Sequence, residues 1–219
     1  ALVGLTSMRC RHFNAQSTKI NSLKTGISLA LDLPAAHTFA RDGTPGIVIE
    51  NDPRLNATGA LTISATVQPS NVVGEHTILN KWYHLDSYLL AIIDNRLTFR
   101  LAFKDGSQFG RMFTLQSSGH HLFLDTTTHV AATFDGYEAR IYINGQQVGQ
   151  KWVGPDDTEP ALRNTKFILQ QTERPVVIGD YEKGGPNWAR FDGEISKIKL
   201  YTSLLTDTQI QSLSSAGLK

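Results

Sequence analysis

The stretch from residue 128 to residue 148 constrains the fold of this chain more than any other. Apolar residues alternate with polar or small ones on both sides of an Asp-Gly pair, at Val130, Ala132 and Phe134 and then at Ala139, Ile141 and Ile143. This period of two is typical of strands that bury one face. Asn144-Gly145 follows, and Asn-Gly between alternating segments is a strong hairpin signal, because a type I′ turn needs positive φ at both central residues. The stretch therefore predicts an antiparallel meander of three strands.

Composition places the chain among globular proteins. Of its 219 residues, 40% are hydrophobic and 19% are charged, which is enough apolar material for a sizeable core. We expect a single domain over residues 1–219, since all-β sandwiches of this size fold as one unit. The net charge of +1 suggests neither nucleic acid nor an anionic membrane as a partner. No apolar run approaches the roughly 20 residues of a membrane span.

The N-terminal region carries little pattern. Residues 1–25 are interpreted as a terminal strand or a linker, and Cys10, the lone cysteine, excludes an internal disulfide. A missing disulfide leaves the compartment open, because large β-sandwiches need no covalent staple. The chain begins with Ala and lacks a signal peptide pattern, so we expect it to be excised from a larger protein with covalently linked neighbouring domains.

Short strands are predicted along most of the chain. Period-two alternation or apolar runs bounded by turn residues mark them. The predicted strands cover residues 28–33, 47–50, 61–67, 77–80, 88–93, 97–103, 109–115, 121–124, 166–169, 176–179 and 193–201. Turns are predicted at residues 94–95 and 105–106. This spacing favours an all-β, two-sheet antiparallel sandwich.

Two further features complete the pattern. Residues 154–175 contain several prolines and aspartates, and such a long loop is typically functional or mobile. Thr206-Asp-Thr-Gln209 fits a capping box, with Ile210 and Leu213 as an apolar side, and predicts one short C-terminal helix.

Three segments together resemble the laminin-G-like, concanavalin-A-like lectin-glucanase jelly-roll family. They are residues 61–69, Leu-Thr-Ile-Ser-Ala-Thr-Val-Gln-Pro; residues 129–145, with His-Val-Ala-Ala-Thr-Phe-Asp-Gly and Ile-Tyr-Ile-Asn-Gly; and residues 177–210, with Phe-Asp-Gly-Glu-Ile-Ser-Lys-Ile-Lys-Leu-Tyr. The resemblance covers roughly residues 28–214. Ser196 stands where many relatives carry Asp in the closing strand, which puts any role of an acidic group there in doubt.

The resemblance implies a jelly-roll sandwich that serves as a carbohydrate- or protein-binding module of a larger secreted protein, sometimes with bound Ca²⁺. We therefore expect an extracellular or cell-surface location. The fold alone does not decide function, because it also supports enzymes that cleave glycans.

Catalytic motifs give no support for an enzyme. The glutamates are scattered, whereas retaining glycosidases of this fold place paired carboxylates on one strand. Tyr181-Glu-Lys183 faintly resembles a stretch of jelly-roll alginate lyases, but the accompanying Gln-x-His motif is absent. The adjacent histidines His120 and His121 would point to opposite faces of a strand, so they would not chelate a metal together.

Calcium is the metal that the loops favour, because Ca²⁺ takes oxygen ligands from carboxylates and loop carbonyls. The candidate ligands are Asp42, Asp180 and Asp192, each next to a glycine or a tight turn. The alternative is ordinary turn chemistry, in which each aspartate bonds its own backbone.

Two aromatic stretches could bind a glycan, because sugar C–H faces pack on aromatic rings while planar polar groups bond the hydroxyls. The candidates are Asp180, Tyr181, Asn187, Trp188 and Arg190 in one stretch, and Trp82, Tyr83 and His84 in the other. The alternative for both is a hydrophobic lid over the sandwich edge.

These observations favour a non-catalytic module that recognises carbohydrate or a glycosylated surface. The alternatives are a protein-interaction or spacer domain of an adhesin, toxin or multidomain enzyme and, with less support, a glycan lyase or hydrolase. Burial of one strand face and the Asn144-Gly145 turn account for the residues of the meander. We therefore expect any chemistry to lie in the loops at residues 81–84, 154–175 and 180–190.

Overall fold

Two antiparallel sheets make up the fold in the computed structural model, which describes residues 27–82, 86–104, 111–119, 122–153, 166–181 and 189–218. The strands are β1 Leu29–Leu33, β2 His37–Phe39, β3 Ile47–Ile49, β4 Leu61–Pro69, β5 Glu75–Lys81, β6 Tyr88–Ile93, β7 Arg96–Phe103, β8 Arg111–Gln116, β9 Thr128–Phe134, β10 Glu138–Ile143, β11 Gln146–Trp152, β12 Val176–Ile178 and β13 Gly193–Tyr201. A 3-10 turn spans Pro53–Leu55, and helix α1 spans Asp207–Gly217.

The strand order is that of a jelly-roll sandwich. The seven-stranded sheet has the order β1-β13-β4-β9-β10-β11, with β2 also paired to β13, and the six-stranded sheet has the order β3-β12-β5-β6-β7-β8. Strands distant in sequence are neighbours in both sheets, as β4 and β9 are. The predicted all-β sandwich with one short C-terminal helix is therefore confirmed for the described residues.

The core lies between the sheets and is built from alternate residues of each strand. Ile63, Ala65 and Val67 of β4 are buried in it, as are Leu97, Phe99 and Leu101 of β7. The rings of Phe103 and Phe134, one from each sheet, lie 5.4 Å apart. Each strand therefore has one face turned towards the core and one outer face turned away from it.

The predicted meander is strands β9, β10 and β11. Residues Asn144 and Gly145 have φ values of 50° and 76°, the left-handed conformation that a type I′ turn requires. The main-chain N–H of Asn144 donates to the carbonyl of His129, and the Asn144 side chain accepts from the His129 N–H. The hairpin prediction is confirmed.

Two predicted strands are wrong in the described part of the chain. Residues 122–124 form a loop, because the N–H of Leu122 bonds the carbonyl of Asn95 in one turn and the N–H of Asp125 bonds that of Pro69 in another. Residues 166–169 contribute only an isolated bridge between Leu169 and Phe103. Residues 105–110 and 154–165, with the predicted turn at 105–106 and most of the predicted long loop, lie outside the described residues, as do residues 1–26.

Helix α1 covers the outer face of the seven-stranded sheet. Its capping box is formed as predicted, with Thr206 accepting from the N–H of Gln209. Ile210 packs with Ala131 and Tyr142 of that sheet. At the other end, Lys197 adopts a left-handed φ of 51°, and its ammonium donates to the carbonyls of Ala216 and Gly217 at 3.0 and 2.9 Å. Both ends of the helix are thus fixed.

A buried histidine lies under this helix. The Nε2 atom of His129 is 2.9 Å from the hydroxyl of Ser64, and within the described ranges its Nδ1 atom has no hydrogen-bond partner. Burial lowers the pKa of His129 to about 4, because charging the imidazole there would cost desolvation. The imidazole is therefore neutral in the folded protein over most of the mildly acidic range.

This burial predicts a loss of stability in mild acid. Unfolding returns the pKa of His129 from about 4 to its ordinary value of 6.5, so the unfolded chain binds the extra proton between these values. Stability is retained above pH 6.5 and should fall by up to about 3 kcal/mol as the pH drops towards 4. Urea denaturation at several pH values measures the free energy of unfolding of the wild type and of His129→Gln. This free energy should depend less on pH in the variant. An identical pH dependence in the two proteins would contradict the prediction.

Candidate functional site

The outer face of the six-stranded sheet brings the two predicted aromatic stretches together. Trp82 follows β5, and Tyr181 comes shortly after β12, the strand paired with β5. Trp82 is buried with Leu89, Ala91 and Ala102 on the outer face, and Tyr181 and Ile93 pack against the same cluster. Trp82 thus has the position of the predicted lid, whereas Tyr181 is only half-buried.

Gly179 directs the chain from β12 onto this face. Its φ is 73°, and a Cβ atom there would lie 2.3 Å from the ring of Phe39, so a larger residue would have to displace that ring. The next residue, Asp180, is then reached by the side chain of Asn80, which donates to the Asp180 carbonyl at 2.6 Å. The Oδ1 atom of Asn80 also accepts from the N–H of Trp82 at 3.2 Å. Asn80 therefore joins the two stretches.

Asp180 and Arg190, both predicted ligand-binding residues, form a buried ion pair. The Nε atom of Arg190 lies 2.9 Å from Oδ2 of Asp180, with side chains 10% and 1% exposed. The other carboxylate oxygen accepts from the N–H of Tyr181 at 2.8 Å, and Arg190 also donates to the carbonyl of Arg41 at 3.3 Å. The two side chains bond each other and the main chain, which limits the contact that Asp180 and Arg190 can make with a ligand.

The three predicted calcium ligands do not make a common site. Asp42 is exposed, Asp192 is half-buried, and Asp180 already has both carboxylate oxygens bonded to protein donors. Among the residues that the structure describes, no three acidic, histidine or cysteine side chains converge as metal ligands would. Protein donors thus occupy the carboxylate of Asp180, and calcium binding by Asp42 or Asp192 stays a prediction.

Four predicted ligand-binding residues cannot be located. Tyr83, His84, Asn187 and Trp188 lie outside the described residues, which leave out 83–85 and 182–188. Their roles stay predictions.

Lys81 is a charged residue that the sequence did not single out as a site. It is completely buried, and its ammonium donates to Oδ1 of Asn51 at 2.6 Å and to the carbonyl of Arg174. Burial lowers the pKa of Lys81 to about 8. Because it is enclosed, we interpret Lys81 as a link between the 3-10 turn region and the 166–181 segment, not as a ligand contact.

The outer face is more open over β7 and β8. Arg100 pairs in register with Leu89 on one side and Thr114 on the other, and Thr98 pairs with Gln116. We call the β7–β8 face the set formed by Arg96, Thr98 and Arg100 of β7 and by Thr114 and Gln116 of β8. Arg96 and Gln116 are exposed and Thr114 is half-buried. No local sequence motif marks this face, because its residues are brought together by the register between strands.

The family is shown by comparison with known proteins. A model of the concanavalin A-like lectin/glucanases superfamily matches residues 41–211. The chain therefore belongs to this superfamily, as the laminin-G-like resemblance predicted. No curated protein sequence matches the chain.

Several solved structures share the fold. The binding domain of Paraclostridial Mosquitocidal Protein 1 has a TM-score of 0.60 at 16% identity, over 90% of this chain and 47% of that one. The CBM40 of the Ruminococcus gnavus IT-sialidase, bound to α2,3 sialyllactose, has a TM-score of 0.55 at 15% identity, over 82% and 98%.

A structure of botulinum neurotoxin type C has a TM-score of 0.52 at 12% identity, over 90% of this chain and 44% of the toxin chain. Cell entry of that toxin depends on interaction with two ganglioside molecules. This chain spans less than half the length of the two toxin chains. At these identities the likeness shows the fold.

The ion pair of Asp180 and Arg190 leads to a stability prediction. Asp180→Asn would leave the Arg190 guanidinium buried beside a neutral partner, which should lower the free energy of unfolding by about 3 kcal/mol. Asp86→Asn is the control, because the Asp86–Arg174 pair is solvent-accessible and should contribute less than about 1 kcal/mol. Chemical denaturation measures both, and equal losses would contradict the assignment.

Proposed function

We propose that this chain is a non-catalytic carbohydrate-binding module of a larger extracellular protein. The observation that carries the proposal is the combination, on one sheet face, of a half-buried aromatic side chain, Tyr181, with the hydrogen-bonding groups of the β7–β8 face. A glycan needs such a pair of features, an aromatic surface for C–H groups and fixed polar groups for hydroxyls.

The structural neighbours support the same function. A CBM40 bound to sialyllactose shares this fold, as does a botulinum neurotoxin whose cell entry depends on interaction with two ganglioside molecules. An extracellular location would agree with these neighbours. None of the helices in the described ranges is long and apolar enough to cross a membrane.

The glycan proposal is tested with a glycan array. The wild type should bind a defined subset of glycans, and Tyr181→Ala should lose most of that binding because the aromatic surface is removed. Tyr137→Ala is the matched control, since Tyr137 is also half-buried but lies at the end of the other sheet, with its ring tilted against that of Trp152. Circular dichroism establishes that each variant is folded.

Two results would overturn the glycan proposal. One is the absence of binding to any glycan, and the other is equal loss in the two tyrosine variants. Release of oligosaccharide from polysaccharide mixtures would instead indicate a glycan hydrolase or lyase.

A second candidate function, a protein-interaction domain, is favoured by an apolar cluster at one end of the sandwich. Val73, Phe123 and Leu124 are 73%, 66% and 53% exposed. Their loops are tied together, because Asn95 donates its N–H to the Val72 carbonyl and accepts from the N–H of Leu122. Apolar side chains held together on a surface are typical of a protein interface.

The protein-interaction candidate predicts binders for this cluster. Peptides selected from a displayed library against the protein should bind at least about tenfold more weakly to Phe123→Ser, because central aromatic contacts dominate interface energies. Ile168→Ser, at another exposed apolar position, should leave binding unchanged. A library that yields no peptide sensitive to Phe123→Ser would exclude this role for the cluster.

A further inference from the structure

Arg100 is a charged residue in the middle of β7, on the open part of the six-stranded sheet. It is on β7, between the buried core residues Phe99 and Leu101, so its side chain extends from the outer face. Its side chain is 24% exposed, and one nitrogen, Nη1, lies 3.1 and 3.0 Å from the two carboxylate oxygens of Glu75. Glu75 is more deeply buried than Arg100. The carboxylate therefore holds the guanidinium from one side.

The other edge of the guanidinium is available. Its Nε and Nη2 atoms donate to no acceptor in the part of the chain that the structure describes. Neither atom is among the described polar atoms that are buried without a hydrogen-bond partner. Adjacent guanidinium N–H groups form a planar fork that matches the two oxygens of a carboxylate or sulfate. The face thus holds an oriented donor pair that no acceptor among the described residues uses.

Neighbouring polar groups extend this donor pair. Thr114 is the cross-strand partner of Arg100, so their Cβ atoms are about 5 Å apart. Gln116 lies two residues further along β8, on the same side, and its amide nitrogen donates to the hydroxyl of Thr98 at 3.1 Å. These groups can bond sugar hydroxyls on either side of an anionic substituent.

The charges of the face are compatible with an anion. Arg100 contacts one carboxylate, that of Glu75 on β5, and Arg96 lies on the same side of β7 four residues earlier. The corresponding residue on the other sheet, Arg140, is similarly exposed at 26% but contacts two carboxylates, Glu138 and Asp135. Arg96, Arg100 and Glu75 together carry a net charge of +1, whereas Arg140, Glu138 and Asp135 together carry −1. An anion is therefore favoured beside Arg100 and disfavoured beside Arg140.

We infer that the β7–β8 face binds glycans through an anionic substituent, a carboxylate or sulfate group on the sugar, held by the free edge of Arg100. The inference rests on the proposed carbohydrate-binding function and adds to it the chemical class of the ligand. Thr114 and Gln116 bond the adjacent hydroxyls, and Glu75 is a positioning residue that keeps the guanidinium oriented.

Calorimetry with four probes tests the ligand class. Lactose is the neutral reference, and 3′-sialyllactose, a hyaluronan tetrasaccharide and 3′-sulfolactose present sialic acid, uronic acid and sulfate. At least one anionic probe should bind about tenfold or more tightly than lactose, and Arg100→Gln should remove that advantage. Arg140→Gln is the matched control and should behave as wild type. Which anionic probe binds distinguishes the three sources of negative charge.

A second variant keeps the test independent of folding. Arg100→Gln leaves the Glu75 carboxylate without its partner, whereas Thr114→Glu leaves the ion pair in place and adds a negative charge beside it. Thr114→Glu should lower the affinity for each anionic probe to, or below, the affinity of the same variant for lactose.

The inference is overturned if wild-type protein binds lactose as tightly as every anionic probe, or if the preference survives both variants. In either case the carbohydrate-binding function stands. If the wild-type protein binds none of the four probes and no glycan on the array, both the inference and the proposed carbohydrate-binding function are wrong.

Discussion

Burial of alternate side chains between the two sheets is the interaction on which the rest of this structure depends. Each strand contributes one face to the shared core, as Leu97, Phe99 and Leu101 do from β7. The intervening residues are thereby placed on an outer face, at spacings fixed by strand geometry. The side chains of the shared core are enclosed between the sheets, so recognition must rely on the two outer faces and on the loops.

The two outer faces are used differently. Helix α1 closes one of them, with Ile210 packed against Ala131 and with Lys197 bonded to the last turn of the helix. The other is covered in part by Trp82 and Tyr181 and is more open over β7 and β8. Arg100 and Arg140 lie on these two different faces, and the second carboxylate beside Arg140, that of Asp135, gives the two ion pairs different consequences.

Much of the fold could be predicted from local pattern. The meander, the Asn144-Gly145 turn and the Thr206 capping box each depend on residues close in sequence, and all three are confirmed. The apolar run that includes Phe123 was misassigned, because alternation alone does not show whether the backbone bonds go to one strand or to two separate turns.

The candidate site was predictable only in part. Composition pointed to Asp180 and Tyr181, but not to the pairing of Asp180 with Arg190, which uses up the charge of both. Arg100 was missed, since its importance comes from Thr114 and Glu75, which are its neighbours through sheet register and not through sequence.

The ion pair between the Glu75 carboxylate and a single nitrogen of Arg100 has a thermodynamic consequence. A free arginine has many rotamers, and ordering them on binding would cost conformational entropy. Here folding has already restricted the guanidinium, so a ligand meets a group with little freedom left to lose. Such preorganisation suits weakly bonding ligands whose contacts are few, and it ties the strength of recognition to the integrity of the sheet.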